Sequence, residues 1–292
     1  MAVIIDGKVV SAAVKAELKE KTQILINEKN IRPGLAVLLV GENPGSVSYV
    51  KSKEKACIDL GFHSVVKRVP DTFTEKEVLD CVNEWNNDPK IHGILVQMPL
   101  PKHIDENKVI LSISPDKDVD GFHPESIGRL VIGLPGFVPC TPAGIMELFK
   151  YYKIDLKGKH VVVLGRSNIV GKPIANLLYQ KNPTANAIVT ICHTATNDIK
   201  YYTCQADVLI AAMGVPMMIT ADYVKEGVVV IDVGINRIED TTIEKGYRLV
   251  GDVDFESVSK LASAITPVPG GVGLMTIAML MKNTYNSAAG WV

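Results

Sequence analysis

The sequence predicts an α/β fold made of two domains, each with a parallel sheet, and three observations carry that prediction. Apolar runs of strand length alternate with helical patterns along the chain. Several runs are apolar at every position, as in strands covered on both faces. A stretch rich in proline and glycine near the middle separates two such series. Strands joined through helices imply right-handed crossovers and so parallel pairing. The 292 residues match about two domains of common size.

In chain order, residues 11–29 place apolar side chains at helical spacing, and Arg32-Pro33-Gly34 stops that helix. Residues 35–40 form a continuous apolar run ending at Gly41, the pattern of a buried parallel strand. A helix over 45–60 is closed by Gly61, and a strand follows over 65–69. Thr74 caps a helix over 74–85, and residues 93–98 form a strand that Pro99 and Pro101 end. Residues 114–142 read as a loop-rich connector, with a domain boundary near residue 140. The second series has a strand over 160–164, a helix over 169–180, and strands over 187–192, 208–212 and 228–233. Pro267 to Gly273 is another proline/glycine segment, and a last helix is predicted over 274–287.

Composition excludes several classes of function. The 31 basic and 32 acidic residues leave a formal charge of -1, without the basic excess of a nucleic-acid binder. Apolar residues at 47% and charged residues at 22% are ordinary for a globular protein. Cys57, Cys81, Cys140, Cys192 and Cys204 form no Cys-x-x-Cys pair, which points to a reduced, cytoplasmic protein. An acidic side chain at Asp6, with no Arg-rich segment after it, predicts no signal or transit peptide. Residues 262–281 lack charge, but Pro267, Pro269, Gly270, Gly271 and Gly273 interrupt them, so no membrane span is predicted. The histidines show no metal-ligand spacing and no Gly-x-Ser-x-Gly elbow occurs, so neither a metal site nor an acyl-transfer serine is expected.

Four segments carry candidate chemistry. Gly165-Arg166-Ser167-Asn168-Ile169-Val170-Gly171-Lys172-Pro173 follows a predicted strand and opens a helix. Glycines there let backbone approach a phosphate at a helix N-terminus, although an ordinary tight turn has the same composition. The segment is neither Gly-x-Gly-x-x-Gly nor a Walker A loop, because its glycine spacing is one residue too long and Pro173 stands where Ser/Thr would hold magnesium. After the next strand, Cys192-His193-Thr194 offers no carboxylate for a ribose hydroxyl, while Arg166 could neutralise a 2′-phosphate or simply lie at the surface. Tyr49 and Lys53, four apart, share one helix face, and a desolvated lysine there becomes a base usable near neutral pH; a solvated face is the alternative. Gln97 sits near the carboxyl end of a strand, where α/β sheets bind ligands, or serves as a core amide bonded to backbone. The run Asp116-Lys117-Asp118-Val119-Asp120-Gly121 begins like a calcium loop, but its twelfth position is Ile127, so calcium is rejected. A carboxylate on that rigid loop can accept two parallel hydrogen bonds from an amidine-like edge such as a pterin's.

Together, in this order and spacing, these segments resemble the bifunctional methylenetetrahydrofolate dehydrogenase/methenyltetrahydrofolate cyclohydrolase (FolD) family over nearly the whole chain. Pro139-Cys140-Thr141-Pro142 and Thr266-Pro267-Val268-Pro269-Gly270-Gly271-Val272-Gly273 complete the match. Leu274 departs from the proline of many relatives, and Thr194 from a frequent serine. The resemblance implies an N-terminal folate-binding catalytic α/β domain over 1–140, with the helix over 274–292 packing back on it. A Rossmann-like NADP-binding domain over 141–273 would complete the subunit, with a cleft between the two. It implies oxidation of 5,10-methylenetetrahydrofolate with NADP, NAD being the less favoured cofactor, and hydrolysis of the methenyl product to 10-formyltetrahydrofolate. A monofunctional dehydrogenase or cyclohydrolase on the same scaffold is the alternative. Lys53 takes the place of the catalytic lysine, with Tyr49, Gln97 and Asp120 as catalytic and folate-binding neighbours. Pro269 and Gly273 would also line the folate site, while Gly165, Arg166, Ser167, Thr194 and Ile235 would contact the cofactor. The family further implies a homodimer, with neither nucleic acid nor membrane as partner.

Overall fold

The chain opens with a two-residue strand, β1 (Val3–Ile4), and a long helix, α1 (Gly7–Lys29). The structure, a computed structural model, describes residues 2–243 and 246–291. Next comes β2 (Gly34–Val40), whose seven residues are all buried, which is why its sequence is an unbroken apolar run. The helix α2 (Pro44–Leu60) starts where Asn43 accepts the Gly45 and Ser46 amides and Pro44 fills the first turn. It stops at Gly61, whose φ of +76 closes the last turn. β3 (His63–Val69) leads to α3 (Glu75–Asn87), which Thr74 and Glu77 cap reciprocally in a capping box. β4 (Gly93–Val96) is followed directly by Gln97, whose N–H still bonds Leu38 O at 2.9 Å. These strands form a parallel sheet in the order β3-β2-β4.

Residues 114–142 are less loop-like than their prolines and glycines suggest. A helix α4 (Glu106–Ser112), capped by Asp105, precedes them, and α5 (Pro124–Ile132) lies inside them. Pro124 occupies the first turn of α5 and Gly133, at φ +73, follows its last, so the two residues bound a nine-residue helix. The helix α6 (Cys140–Tyr151) then begins.

The second series contains β5 (His160–Leu164), α7 (Gly171–Leu178), β6 (Ile188–Cys192), α8 (Ile199–Thr203), β7 (Val208–Ala211) and β8 (Val229–Asp232). An antiparallel hairpin, β9 (Asn236–Glu239) with β10 (Tyr247–Val250), follows, with the Arg237 guanidinium stacked 3.4 Å from the Tyr247 ring centre. The chain ends with α9 (Phe255–Val258), β11 (Ala264–Ile265) and α10 (Val272–Ala288). Six parallel strands form one sheet in the order β1-β11-β8-β7-β5-β6. Its core gathers Val162, Leu164, Leu209, Ala211, Val230 and Ile265.

The polypeptide divides into two compact units. One comprises Met1–Ser11 with Thr141–Thr276, the other Ala12–Cys140 with Ile277–Val292. The sequence places residues 1–140 together and the last helix, over 274–292, with them. In the structure the first strand instead joins the six-stranded sheet, because Val3 pairs with Ala264 and Ile4 with Ile265. Two residues are too few to show a strand period in sequence. Residue 292 lies outside the described residues. Within the three-stranded unit, Asn283 of α10 donates to Val119 O (2.9 Å) and Val138 O (3.1 Å), and Ser287 donates to His92 O (2.7 Å) and Asp116 O (3.0 Å). Asn283→Ala orphans two carbonyls there and should cost about 1–3 kcal/mol, read as a lower denaturant midpoint; an unchanged midpoint would remove Asn283 from the fold's supports.

Candidate active site

One turn of α2 sets Tyr49 above Lys53, and the same helix buries Val50, Ala56, Cys57 and Leu60 against its unit. That packing pulls Lys53 inward until only 5% of it is exposed. Its Nζ donates to Gln97 Oε1 at 2.9 Å, and Gln97 Nε2 donates to Met98 O at 2.8 Å. A carbonyl cannot donate, so the bond to Met98 fixes the amide with its oxygen toward the lysine. The ammonium also lies 5.7 Å from the centre of the Tyr49 ring. Burial lowers the Lys53 pKa from its ordinary 10.5, opposed by the charges of Asp120 and Cys140. Burial likewise raises the Tyr49 phenol and the Asp120 carboxyl, the latter opposed by Lys53 and by a hydrogen bond from the Cys140 thiol. Cys140 itself is pushed well above its usual range by burial, and its Sγ reaches Val119 O at 3.3 Å.

The loop that presents Asp120 is pinned on both sides. Lys117 Nζ donates to the carbonyls of Trp85, Asn86 and Asp88 at the end of α3. Asp118, 2% exposed, accepts the Phe122 and His123 amides and the Ser126 hydroxyl at 3.2, 2.8 and 2.7 Å. Burial pushes its pKa up to about 6 even so. Gly121, at φ +77, packs where an added Cβ would sit 2.6 Å from Pro139 N. Two aspartates of the motif therefore diverge: Asp118 anchors the loop, and Asp120 couples to the lysine. Cys140 and Asp118 escaped the sequence reading, since a buried anchor and a ligand-facing carboxylate look alike in one sequence.

The six-stranded unit holds a second candidate site. A cavity of about 490 Å³ opens beyond the carboxyl ends of β5, β6 and β7, lined by Gly165, Arg166, Ser167, His193 and Thr194, and by Met213 and Val215 after β7. Gly165 has φ +116, and a Cβ there would lie 2.3 Å from Ala212 O, so only glycine fits. Gly171 is equally constrained by Gly165 O at 2.2 Å, which lets α7 start tight against the turn. Ser167 Oγ accepts the Val170 and Gly171 amides, leaving its own proton free to point outward. Five of the sequence-selected cofactor positions thus divide: Gly165, Arg166, Ser167 and Thr194 meet at the cavity, whereas Ile235 lies outside its lining, half-exposed after β8. Pro269 and Gly273 belong to the turn and first residues of α10. Met213 and Val215 carried no sequence signal beyond an apolar strand end.

A parallel sheet with a glycine turn and a cavity at its carboxyl edge, plus a buried lysine held by a glutamine in a second sheet unit, defines a two-unit α/β protein of nucleotide-binding type. Residues 5–120 match the tetrahydrofolate dehydrogenase/cyclohydrolase catalytic domain and residues 139–290 its NAD(P)-binding domain. The chain belongs to the tetrahydrofolate dehydrogenase/cyclohydrolase family. It is 59% identical over 286 residues, 97% of each chain, to the bifunctional protein FolD of Pelodictyon phaeoclathratiforme. It is similar to the solved bifunctional FolD enzyme of Campylobacter jejuni, with 52% identity, a TM-score of 0.93 and 100% of each chain covered. A Trypanosoma brucei FolD structure, complexed with NADP and an inhibitor, shares 39% identity at a TM-score of 0.94, covering 99% of this chain and 98% of its own.

Because the Asp120 charge holds the Lys53 pKa up, Asp120→Asn should move the lysine titration to lower pH. Heteronuclear NMR at the Lys53 Cε would show it; a midpoint that stays put or rises would uncouple the two groups.

Proposed function

We propose that Lys53 is the group through which this bifunctional enzyme carries out the hydrolytic half of its chemistry, and that the same pocket accommodates the oxidative half. The enzyme oxidises 5,10-methylenetetrahydrofolate and hydrolyses the methenyl product. The observation that carries the assignment to Lys53 is its burial beside Gln97, which lowers its pKa.

Oxidation removes hydride from a carbon flanked by two nitrogens and leaves a cation. A protonated lysine against that carbon would oppose the step, and burial favours the neutral amine. Gln97 Oε1 holds that amine in place by accepting one of its N–H bonds, which leaves the nitrogen lone pair free toward a water. Neutral Lys53 takes a proton from the water as its oxygen adds to the methenyl carbon. Lys53 returns that proton to the ring nitrogen as the carbon–nitrogen bond breaks, and the added hydroxyl gives up its own proton to become the formyl oxygen, so one proton is released to solvent overall. Tyr49 covers the amine from one side, and its raised pKa keeps the phenol neutral. Asp120 is assigned to the pterin, whose paired N–H donors match a carboxylate's two oxygens. Pro269 and Gly273 are retained as folate contacts on the strength of the resemblance.

The dinucleotide, when bound, supplies the hydride acceptor. The lining fits it: the turn after β5 offers Gly165 with no side chain, Gly171 opens α7 close behind it, and Arg166 supplies a cation among the lining residues. NADP is the proposed form, because His193 and Thr194 follow β6 with no carboxylate to grip a ribose hydroxyl, while Arg166 can meet a 2′-phosphate. Ile235 remains a proposed contact reached from beyond the cavity. A homodimer is proposed from the resemblance. A cytoplasmic setting is supported by the five free thiols, and no helix among the described residues is long and apolar enough to cross a membrane.

Supplied with 5,10-methylenetetrahydrofolate and NADP, the protein should reduce the cofactor without accumulating the methenyl chromophore, and NAD should support slower reduction. Accumulation would mean that hydrolysis is missing. Lys53→Met should slow methenyl hydrolysis by at least about a hundredfold; hydrolysis at the wild-type rate would end its role. Asp120→Asn should raise the folate KM about tenfold, since an amide cannot accept both pterin bonds; an unchanged KM would free Asp120 from the pterin.

A further inference from the structure

Two buried aspartates, Asp232 at the last position of β8 and Asp252 just after β10, are used by none of the chemistry above. Asp232 is 3% exposed and Asp252 is fully buried. Thr266 Oγ1 accepts the Asp232 N–H at 2.7 Å. The Asp232 carboxylate accepts the amides of Gly234, Asp252 and Val253 at 3.0, 2.9 and 3.0 Å. Asp252 in turn accepts the amides of Met213 and Gly214 on one oxygen, at 2.6 and 2.9 Å, and Asn236 Nδ2 on the other, at 2.8 Å. An added Cβ on Gly234 would sit 2.2 Å from Asp252 Oδ1, and one on Gly251 would sit 1.7 Å from Asp232 Oδ2, so both neighbours must be glycine.

Met213 lines the 490 Å³ cavity together with Gly165 and Arg166, one residue beyond the Ala212 backbone that packs against Gly165. After Ala212 bonds Leu164 O, no strand or helix carries the chain until residue 221, and the Met213 and Gly214 amides find their acceptor in Asp252 alone among the described bonds. Three donors converge on that carboxylate, two of them the consecutive backbone amides of this segment. We propose that Asp252 is a positioning residue for the dinucleotide: it holds the Met213–Gly214 backbone at the width the ligand needs without touching the ligand. The proposal rests on the assignment of this cavity to the dinucleotide.

The test uses the full-length protein with Asp252→Ala and Asp252→Asn. Asparagine can keep both backbone bonds through its oxygen, and its amide can donate to Asn236 once that side chain flips; alanine keeps none. Asp252→Ala should speed hydrogen exchange at the Met213 and Gly214 amides in the ligand-free protein. It should also raise the NADP Kd, measured by calorimetry, about tenfold. Methenyl hydrolysis without dinucleotide should stay within about twofold of wild type, and Asp252→Asn should restore the Kd to within about threefold. An unchanged Kd in Asp252→Ala, or hydrolysis falling in step with NADP binding, would overturn the role. If the alanine variant fails to fold, Asn236→Ala should raise the Kd about twofold to threefold by releasing one oxygen of the clamp, and an unchanged Kd would again overturn it. Wild-type protein that binds no NADP would instead refute the cavity's assignment.

Discussion

A lysine taken out of water is the constraint around which the smaller sheet unit is arranged. An ammonium buried to this degree is costly unless neighbours satisfy it or it gives up its proton. Gln97 satisfies one donor, and Asp120 supplies an opposing charge that is itself desolvated. Each partner needs its own support. The Met98 carbonyl orients the glutamine, and the Asp118 and Gly121 loop holds Asp120 in place. Asn283, arriving from the far end of the chain, ties down the Val119 and Val138 backbone on either side of that loop. Exposing the amine to water would return its pKa toward that of an ordinary surface lysine, whereas losing the Asp120 charge alone would take it lower still.

Much of this was legible in the sequence because burial and capping leave local traces. The run over 35–40, the Thr74 cap and the Gly61 stop each correspond to elements in the structure, since each depends on neighbours in sequence. Tyr49, Lys53 and Gln97 were visible as a pair at helical spacing and as a polar residue ending an apolar strand. The resemblance to a known family, not spacing alone, singled out Lys53 from Lys51 and Lys55 beside it. The region over 114–142 was harder. Pro124 and Gly133 read as breakers although they begin and end α5, because nine residues are too few to establish a helical period around them. The β9–β10 hairpin and strands β1 and β11 were invisible for a related reason: their pairing partners lie far off in sequence or their length gives no alternation.

Carboxylates illustrate where single-sequence reasoning stops. Asp118, Asp232 and Asp252 are as deeply placed as any group in a catalytic pocket, yet each is surrounded by backbone amides and serves to fasten one loop to another. Asp120, two residues from Asp118, has a lysine and a thiol for company instead. Residue type and spacing are identical in kind; the difference lies in which donors converge, and those come from segments remote in sequence. Burial raises Asp118 and Asp232 to about 6, so displacement of a carboxyl pKa does not by itself separate an anchor from a reacting group.

The interleaving of the two units bears on the order in which the protein can be made. Residues 2–11 supply an edge strand to a sheet whose partner strand, at 264–265, is synthesised near the end, and the segment from 277 onward completes the unit begun at residue 12. While the ribosome is still translating the middle of the chain, neither unit has all its parts. The first-made half must therefore wait, with Val119 and Val138 unclaimed by Asn283, until the final helix emerges. A cut at residue 140, natural as it looks along the sequence, would release two fragments that each lack a piece held by the other.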